Sequence, residues 1–182
     1  MNRRDDRGIA LLITIMTMMF VAALGAAVVL TTSSEAFIAS AFRGGHQAFY
    51  AADGAAEWAL ADLAGVADWT ALAAGPALST FVDGAPGGLR SMGSGTFVDL
   101  SRVAAINPGW RLYAYGPLDG LTSAARESGF YVAVLVAPAV PAAPNRLRVR
   151  AFAFGARSAQ RAVEVTILRT PAGVRQESWA VP

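Results

Sequence analysis

Residues 8–63 read GIALLITIMTMMFVAALGAAVVL followed by TTSSEAFIASAFRGGHQAFYAADGAAEWALADL, and this stretch decides the fold. From Ile9 to Leu30 there are 22 residues without a charge, and Thr14 and Thr17 carry the only polar side chains. A helix rises about 1.5 Å per residue, so some ~20 apolar residues cross a hydrocarbon core of about 30 Å. The run is long enough to span a membrane. Arg3, Arg4 and Arg7 precede it, and the next basic residue is Arg43. That asymmetry predicts a cytoplasmic N-terminus and export of the chain beyond Leu30.

The second half of the stretch is amphipathic. Ile38, Phe42, Gly45, Phe49, Ala52, Ala56, Ala59 and Leu63 succeed one another at spacings of 4, 3, 4, 3, 4, 3 and 4. This is one stripe on one helix face. Arg43, Gln47, Asp53, Glu57 and Asp62 fall off it, and no proline interrupts Ile9–Leu63. Gly44–Gly45 is the expected weak point, since each glycine costs about 1 kcal/mol in a helix interior. The reading is one long helix, or two nearly collinear ones. Its first half lies in lipid, and its second half packs on a folded domain through Phe49, Ala52, Ala56 and Leu63.

These residues carry a family resemblance. Arg7–Gly8 directly before Ile-Ala-Leu-Leu, then Glu35, then Ala48-Phe49-Tyr50-Ala51-Ala52-Asp53-Gly54, resembles the N-terminal region of PilX-type minor pilins of type IV pili. It is also similar to the K-type minor pseudopilins of type II secretion. The resemblance covers about residues 7–63, with Asp53 where the family usually has Glu. It implies that a prepilin peptidase cuts between Gly8 and Ile9 and methylates the new N-terminus. It also implies a pilin-like fold, with other pilins or pseudopilins and the inner-membrane lipid as partners. Major pilins carry Glu at the fifth residue after the cut, thought to pair with the N-terminal amine of the adjacent subunit; this chain has Ile13 there. That absence suits a rare subunit acting in assembly priming or at the tip.

The residues alone leave other readings of the N-terminus open. Ala39-Ser40-Ala41 has the pattern of a conventional signal cleavage site, but it lies beyond the apolar run. An uncleaved single-pass anchor fits the same run. The expected organisation is a leader over 1–8, a transmembrane helix over 9–31, its amphipathic continuation over 32–64 and a globular β-rich domain over 65–182. The expected location is the inner membrane, then a filament at the cell surface.

From Gly65 to Gly95 periodicity is lost, apart from a short helix expected within Val66–Ala74. Asp83–Gly88 and Gly93-Ser94-Gly95 read as turns. Strands are expected at Thr96–Leu100, Trp110–Tyr115, Gly129–Ala137, Leu147–Phe154 and Ala162–Leu168. Leu147, Val149, Ala151 and Ala153 alternate with Arg146, Arg148, Arg150, Phe152 and Phe154; Val163, Val165 and Ile167 alternate with Ala162, Glu164 and Thr166. Pro138, Pro141 and Pro144 mark one link and Gly155–Ser158 the next. The fold class is α+β: a long N-terminal helix packed on one face of an antiparallel meander, in two layers.

Composition excludes much chemistry. With no cysteine there is no disulfide, thiolate metal site or thiol catalysis. His46 is the single histidine and reads as a plain helix residue. Asp53 and Glu57, four apart, read as a solvated flank rather than an acid–base pair. Gly84, Gly87 and Gly88 surround Pro86 and form no phosphate loop, and no G-x-S-x-G occurs. Neither an enzyme nor a cofactor is expected.

One feature has binding content. All 15 basic residues are Arg, a compositional bias, and they are unevenly placed: residues 44–145 carry net −4 and residues 146–182 net +5. Arg146, Arg148, Arg150, Arg157 and Arg161 are candidate contacts for DNA or another anion, with Phe152 and Phe154 placed to stack bases. The competing reading has these arginines on a solvated sheet face or against acidic patches of neighbouring subunits. As a whole, the chain reads as a structural pilin-like subunit; the alternative is an anchored or pilus-borne module that captures DNA or a surface.

Overall fold

The structure, a computed structural model, describes residues 5–75, 78–92, 96–121, 129–140 and 143–182, with side chains from Gly8 onward. Arg3, Arg4, the Gly93-Ser94-Gly95 turn and Pro141 lie outside the described residues. The chain divides into two compact units, Met1–Phe42 and Arg43–Pro182. Helix α1 covers Asp5–Ala64 and contributes to both, so Gly8 and Ile9 are helical.

In the first unit, side chains from Gly8 to Ala39 are exposed, and this is the one described helix long and apolar enough to cross a membrane. Its hydroxyls are satisfied within the helix. Thr14 donates to the carbonyl of Ala10 and Thr17 to that of Ile13, each at 2.8 Å. Thr31, Thr32, Ser33 and Ser34 donate to Ala27, Val28, Val29 and Leu30 at 2.8–3.0 Å. A hydroxyl bonded to the carbonyl four residues back leaves no unpaired donor to be desolvated. Ile38 and Phe42, expected at the head of the packing stripe, are both 69% exposed.

In the second unit the stripe is buried from Gly45 onward, except that Phe49 is half-buried. The rest of the unit comprises α2 (Trp69–Ala74), β1 (Leu89–Ser91), β2 (Phe97–Asp99), α3 (Leu100–Ala105), β3 (Arg111–Pro117), β4 (Tyr131–Pro138), β5 (Arg146–Phe154), β6 (Gln160–Thr170) and β7 (Gly173–Ala180). Strands β3 to β7 form an antiparallel five-stranded meander in chain order. Ala52, Ala56, Ala59 and Leu63 of α1 are buried with Val132, Val134 and Val136 of β4, Leu147, Val149, Ala151 and Ala153 of β5, and Val163, Val165 and Ile167 of β6. Phe49 is half-buried against this core. Alanine suits the position because a short side chain lets the helix backbone approach the sheet closely.

Gly44–Gly45 does not break α1. A Cβ on Gly45 would lie 3.1 Å from Nη2 of Arg161, and one on Gly44 would lie 3.5 Å from Cβ of Ala159. The pair serves close approach of the helix to the β5–β6 connection, a role that outweighs its low helix propensity.

The sheet is not two-layered throughout. Seven of the eight residues of β4 are buried, because Tyr131, Ala133 and Leu135 on its other face form a second core with Val98, Leu100, Val103, Tyr115 and Phe152. The excursion β1–β2–α3 supplies that cover. The expected strand Thr96–Leu100 therefore ends early. Asp99 accepts from the backbone N–H groups of Ser101 and Arg102 at 3.0 and 3.2 Å and starts α3 as its cap. The outer edge of β3 is paired by residues 79–83: Ser79 and Asp83 donate N–H to Tyr113 and Tyr115 carbonyls, and Tyr115 donates to Phe81. Such cover protects a sheet edge from adventitious pairing.

The end of α1 is capped from a distance. Arg169 of β6 donates to the carbonyls of Ala67 at 2.5 Å, Leu63 at 3.4 Å, and Val66. Its guanidinium lies 4.3 Å from the centroid of Trp69, whose Nε1 donates to Leu63 at 3.0 Å. One cation thus meets carbonyls that a helix terminus leaves unpaired. Arg169→Ala should lower the domain's unfolding free energy by about 2 kcal/mol, measured by denaturant titration. Arg169→Lys should recover only part of this, because an ammonium lacks the planar fork.

Candidate functional site

The arginines of β5 share one face because side chains alternate along a strand. The β5–β6 register places Arg150 opposite Glu164 and Arg148 opposite Thr166. Glu164 therefore sits between two guanidiniums. Arg148 donates from Nε and Nη2 to its Oε1 at 3.0 and 2.7 Å, and Arg150 from Nε and Nη2 to its Oε2 at 3.0 and 2.5 Å. Burial pushes the Glu164 carboxyl up, but the hydrogen bonds and charges of Arg150 and Arg148 outweigh it and hold the group below its ordinary value.

The cluster extends across the outer face. Arg150 Nη1 donates to Asn107 Oδ1 at 2.7 Å, and buried Asn107 donates to the carbonyl of Val103 at 2.7 Å. The guanidiniums of Arg148 and Arg150 lie 4.6 and 4.3 Å from the centroid of Trp110, within cation–π range. Arg146 pairs with Glu177 of β7 at 2.7 Å.

The structure thus brings Arg146, Arg148 and Arg150 together, each with a carboxylate of its own sheet. Arg157 and Arg161 lie at the far end of the hairpin. Arg157 has φ 54° and Ser158 φ 61°, a left-handed pair that closes the β5–β6 connection. Arg161 donates to the carbonyl of Gln160 at 2.9 Å. Phe152 and Phe154 stack on each other with centroids 6.0 Å apart, Phe152 being buried under α3 and β2. No family model, curated protein or solved structure matches the chain.

The acids of α1 also have partners. Asp62 accepts from Ser79 Oγ at 2.7 Å and Tyr113 Oη at 2.6 Å. Burial, then the Asp62 carboxylate, raises the Tyr113 hydroxyl well above its ordinary value. Asp53 accepts from Trp179 Nε1 at 3.2 Å, and Trp179 meets Phe49 edge-on with centroids 5.9 Å apart. Helical spacing alone puts Asp53 and Asp62 on a solvated flank; in the fold they tie β7 and the 79–83 segment to the helix. Glu57 alone of the three remains exposed. Among the described residues no group of three or more His, Cys, Asp and Glu is arranged to hold a metal.

Proposed function

We propose that this chain is a minor pilin-like structural subunit of a type IV pilus or related secretion or competence filament, acting in assembly priming or at the tip. The observation that carries the reading is the division of labour along α1. One N-terminal helix presents an unbroken apolar surface over its first part and, from Gly45 onward, forms the core of its own β-rich domain. A subunit that is held in a membrane and then transferred into a helical bundle needs both. Ile13 supports a place where no neighbouring amine must be met: a carboxylate in apolar surroundings is costly unless paired, and Ile13 avoids that cost. The carboxylates already seated on Arg146, Arg148 and Arg150 favour a structural subunit over a DNA receptor.

In this reading the N-terminus is cytoplasmic, the prepilin peptidase cuts after Gly8, and the mature protein enters an extracytoplasmic filament. N-terminal sequencing of the native protein should begin at Ile9, and Gly8→Leu should leave unprocessed protein in the membrane. A sequence starting at Met1 or beyond Ala41 removes the proposal. Near-stoichiometric abundance with the major subunit in sheared filaments removes the priming or tip role.

A further inference from the structure

We infer that the free edge of β7 is a docking site for a short extended segment of a partner protein, one that carries basic side chains on the face it turns to α1. The two edges of the sheet differ. Residues 79–83 pair with β3, whereas β7 closes the order β3-β4-β5-β6-β7 with nothing beyond it. Apart from its ladder with β6, no residue from Val174 to Pro182 makes a backbone-to-backbone hydrogen bond among the described residues. An edge strand aims the N–H and C=O groups of alternate residues outward, where an added strand pairs with them. The edge is not smooth. Ile167 faces Gln176 and Thr166 faces Ser178, which leaves Glu177 over as a bulge. A bulge denies a long, flat strand continuous register, so the edge admits a short segment.

The chemistry of the segment follows from what flanks this edge. On the face that α1 covers, Trp179 leans on the helix through Asp53 and Phe49 and is still 45% exposed. Glu57 lies one turn beyond Asp53 on the same side of α1. It is exposed and makes no ion pair among the described residues. Two cations share this face of the sheet, but both are turned elsewhere: Arg161 lies against Gly45, and Arg169 meets the carbonyls at the end of α1. Neither pairs with Asp53 or Glu57. The edge is thus flanked by two carboxylates and a half-open indole, which fit arginine or lysine side chains through ion pairing and cation–π contact. This goes beyond the filament reading and does not rest on it. One partner segment per chain adds no further copies of this chain, so it is compatible with a rare subunit.

The test uses the full chain in non-ionic detergent micelles. The probe is a short synthetic peptide alternating arginine with valine. It is compared with a glutamate–valine peptide and with the arginine–valine peptide N-methylated at every backbone nitrogen. The arginine peptide should slow amide hydrogen exchange within Val174–Ala180, and its binding should weaken as salt is raised. The N-methylated peptide should leave that exchange unchanged, because it has no backbone donor to give. Glu57→Arg should weaken binding of the arginine peptide by roughly tenfold and strengthen that of the glutamate peptide, since it reverses the charge beside the edge. Glu57 is exposed, so the change leaves the core intact. The inference is overturned by an arginine peptide that protects no β7 amide, by equal protection from the N-methylated peptide, by binding blind to the Glu57 reversal, or by self-association of the chain that already protects this edge.

Discussion

Replacing Ala56 with Glu should remove on the order of 4 kcal/mol from the stability of the domain, a large share of the roughly 5–15 kcal/mol that holds a typical domain folded. Ala56 is 1% exposed, in the alanine face that α1 lays on β4, β5 and β6. A glutamate there has no room, because the neighbours are Val and Ala side chains packed at crystal-like density. It also has no cation within the contact, so the carboxylate enters protonated or pushes the helix off the sheet. The melting temperature should fall by roughly 15 °C. A variant that melts with wild type would mean that this face of α1 is not the one packed on the sheet.

Glu164→Ala is the second change with a large expected effect. It deletes the carboxylate that Arg148 and Arg150 share and leaves two part-buried guanidiniums facing each other over Trp110. Stranding part-buried charge in this way should cost about 3 kcal/mol. The pH dependence has a definite sign. The folded-state pKa of Glu164 is depressed, so its contribution is present above the ordinary value of 4.5 and is lost as pH falls through the lower folded value. Wild type and Glu164→Gln should therefore differ in stability at neutral pH and converge in acid. A difference that persists unchanged below the folded titration would assign the loss to packing instead of charge.

An element is legible in the sequence to the extent that its signal repeats. The stripe from Gly45 to Leu63 repeats over five turns, so the helix and its packing face are visible without any tertiary contact. β5 and β6 are visible because one face is apolar and the other is not. β7 escapes because all of its eight residues except Val174 are exposed, which leaves no alternation to detect. α3 escapes because its six residues are fewer than two turns; its signal is the single cap at Asp99. The second core is present in the run YVAVLV of β4, whose unbroken apolar character marks a strand covered on both faces. At the arginine face, alternation already places Glu164 beside the guanidiniums. Which arginines it meets depends on register, fixed by the left-handed pair at Arg157 and Ser158. Asn107 bonds Arg150 across 43 residues of chain, and no local pattern announces such a contact.

If the apolar run spans a bilayer, as proposed, the back-bonded hydroxyls at its end bear on how firmly it would be held at a given depth. Thr31, Thr32, Ser33 and Ser34 already spend their donors on carbonyls of their own helix. Immersing them in hydrocarbon strands no hydrogen, and returning them to water releases none. Four residues span about 6 Å of axis, so sinking this end by about one turn would desolvate no free hydroxyl donor, until Glu35 reached the boundary; a rise would be limited at the other end by Arg7. A bilayer that thins or thickens by a few ångströms would then meet a compliant boundary at this end of the run. Resistance to extraction would then come from Leu30 and the residues before it leaving the oil and from the charges around Arg7 entering it at the other end, with the hydroxyl collar adding none.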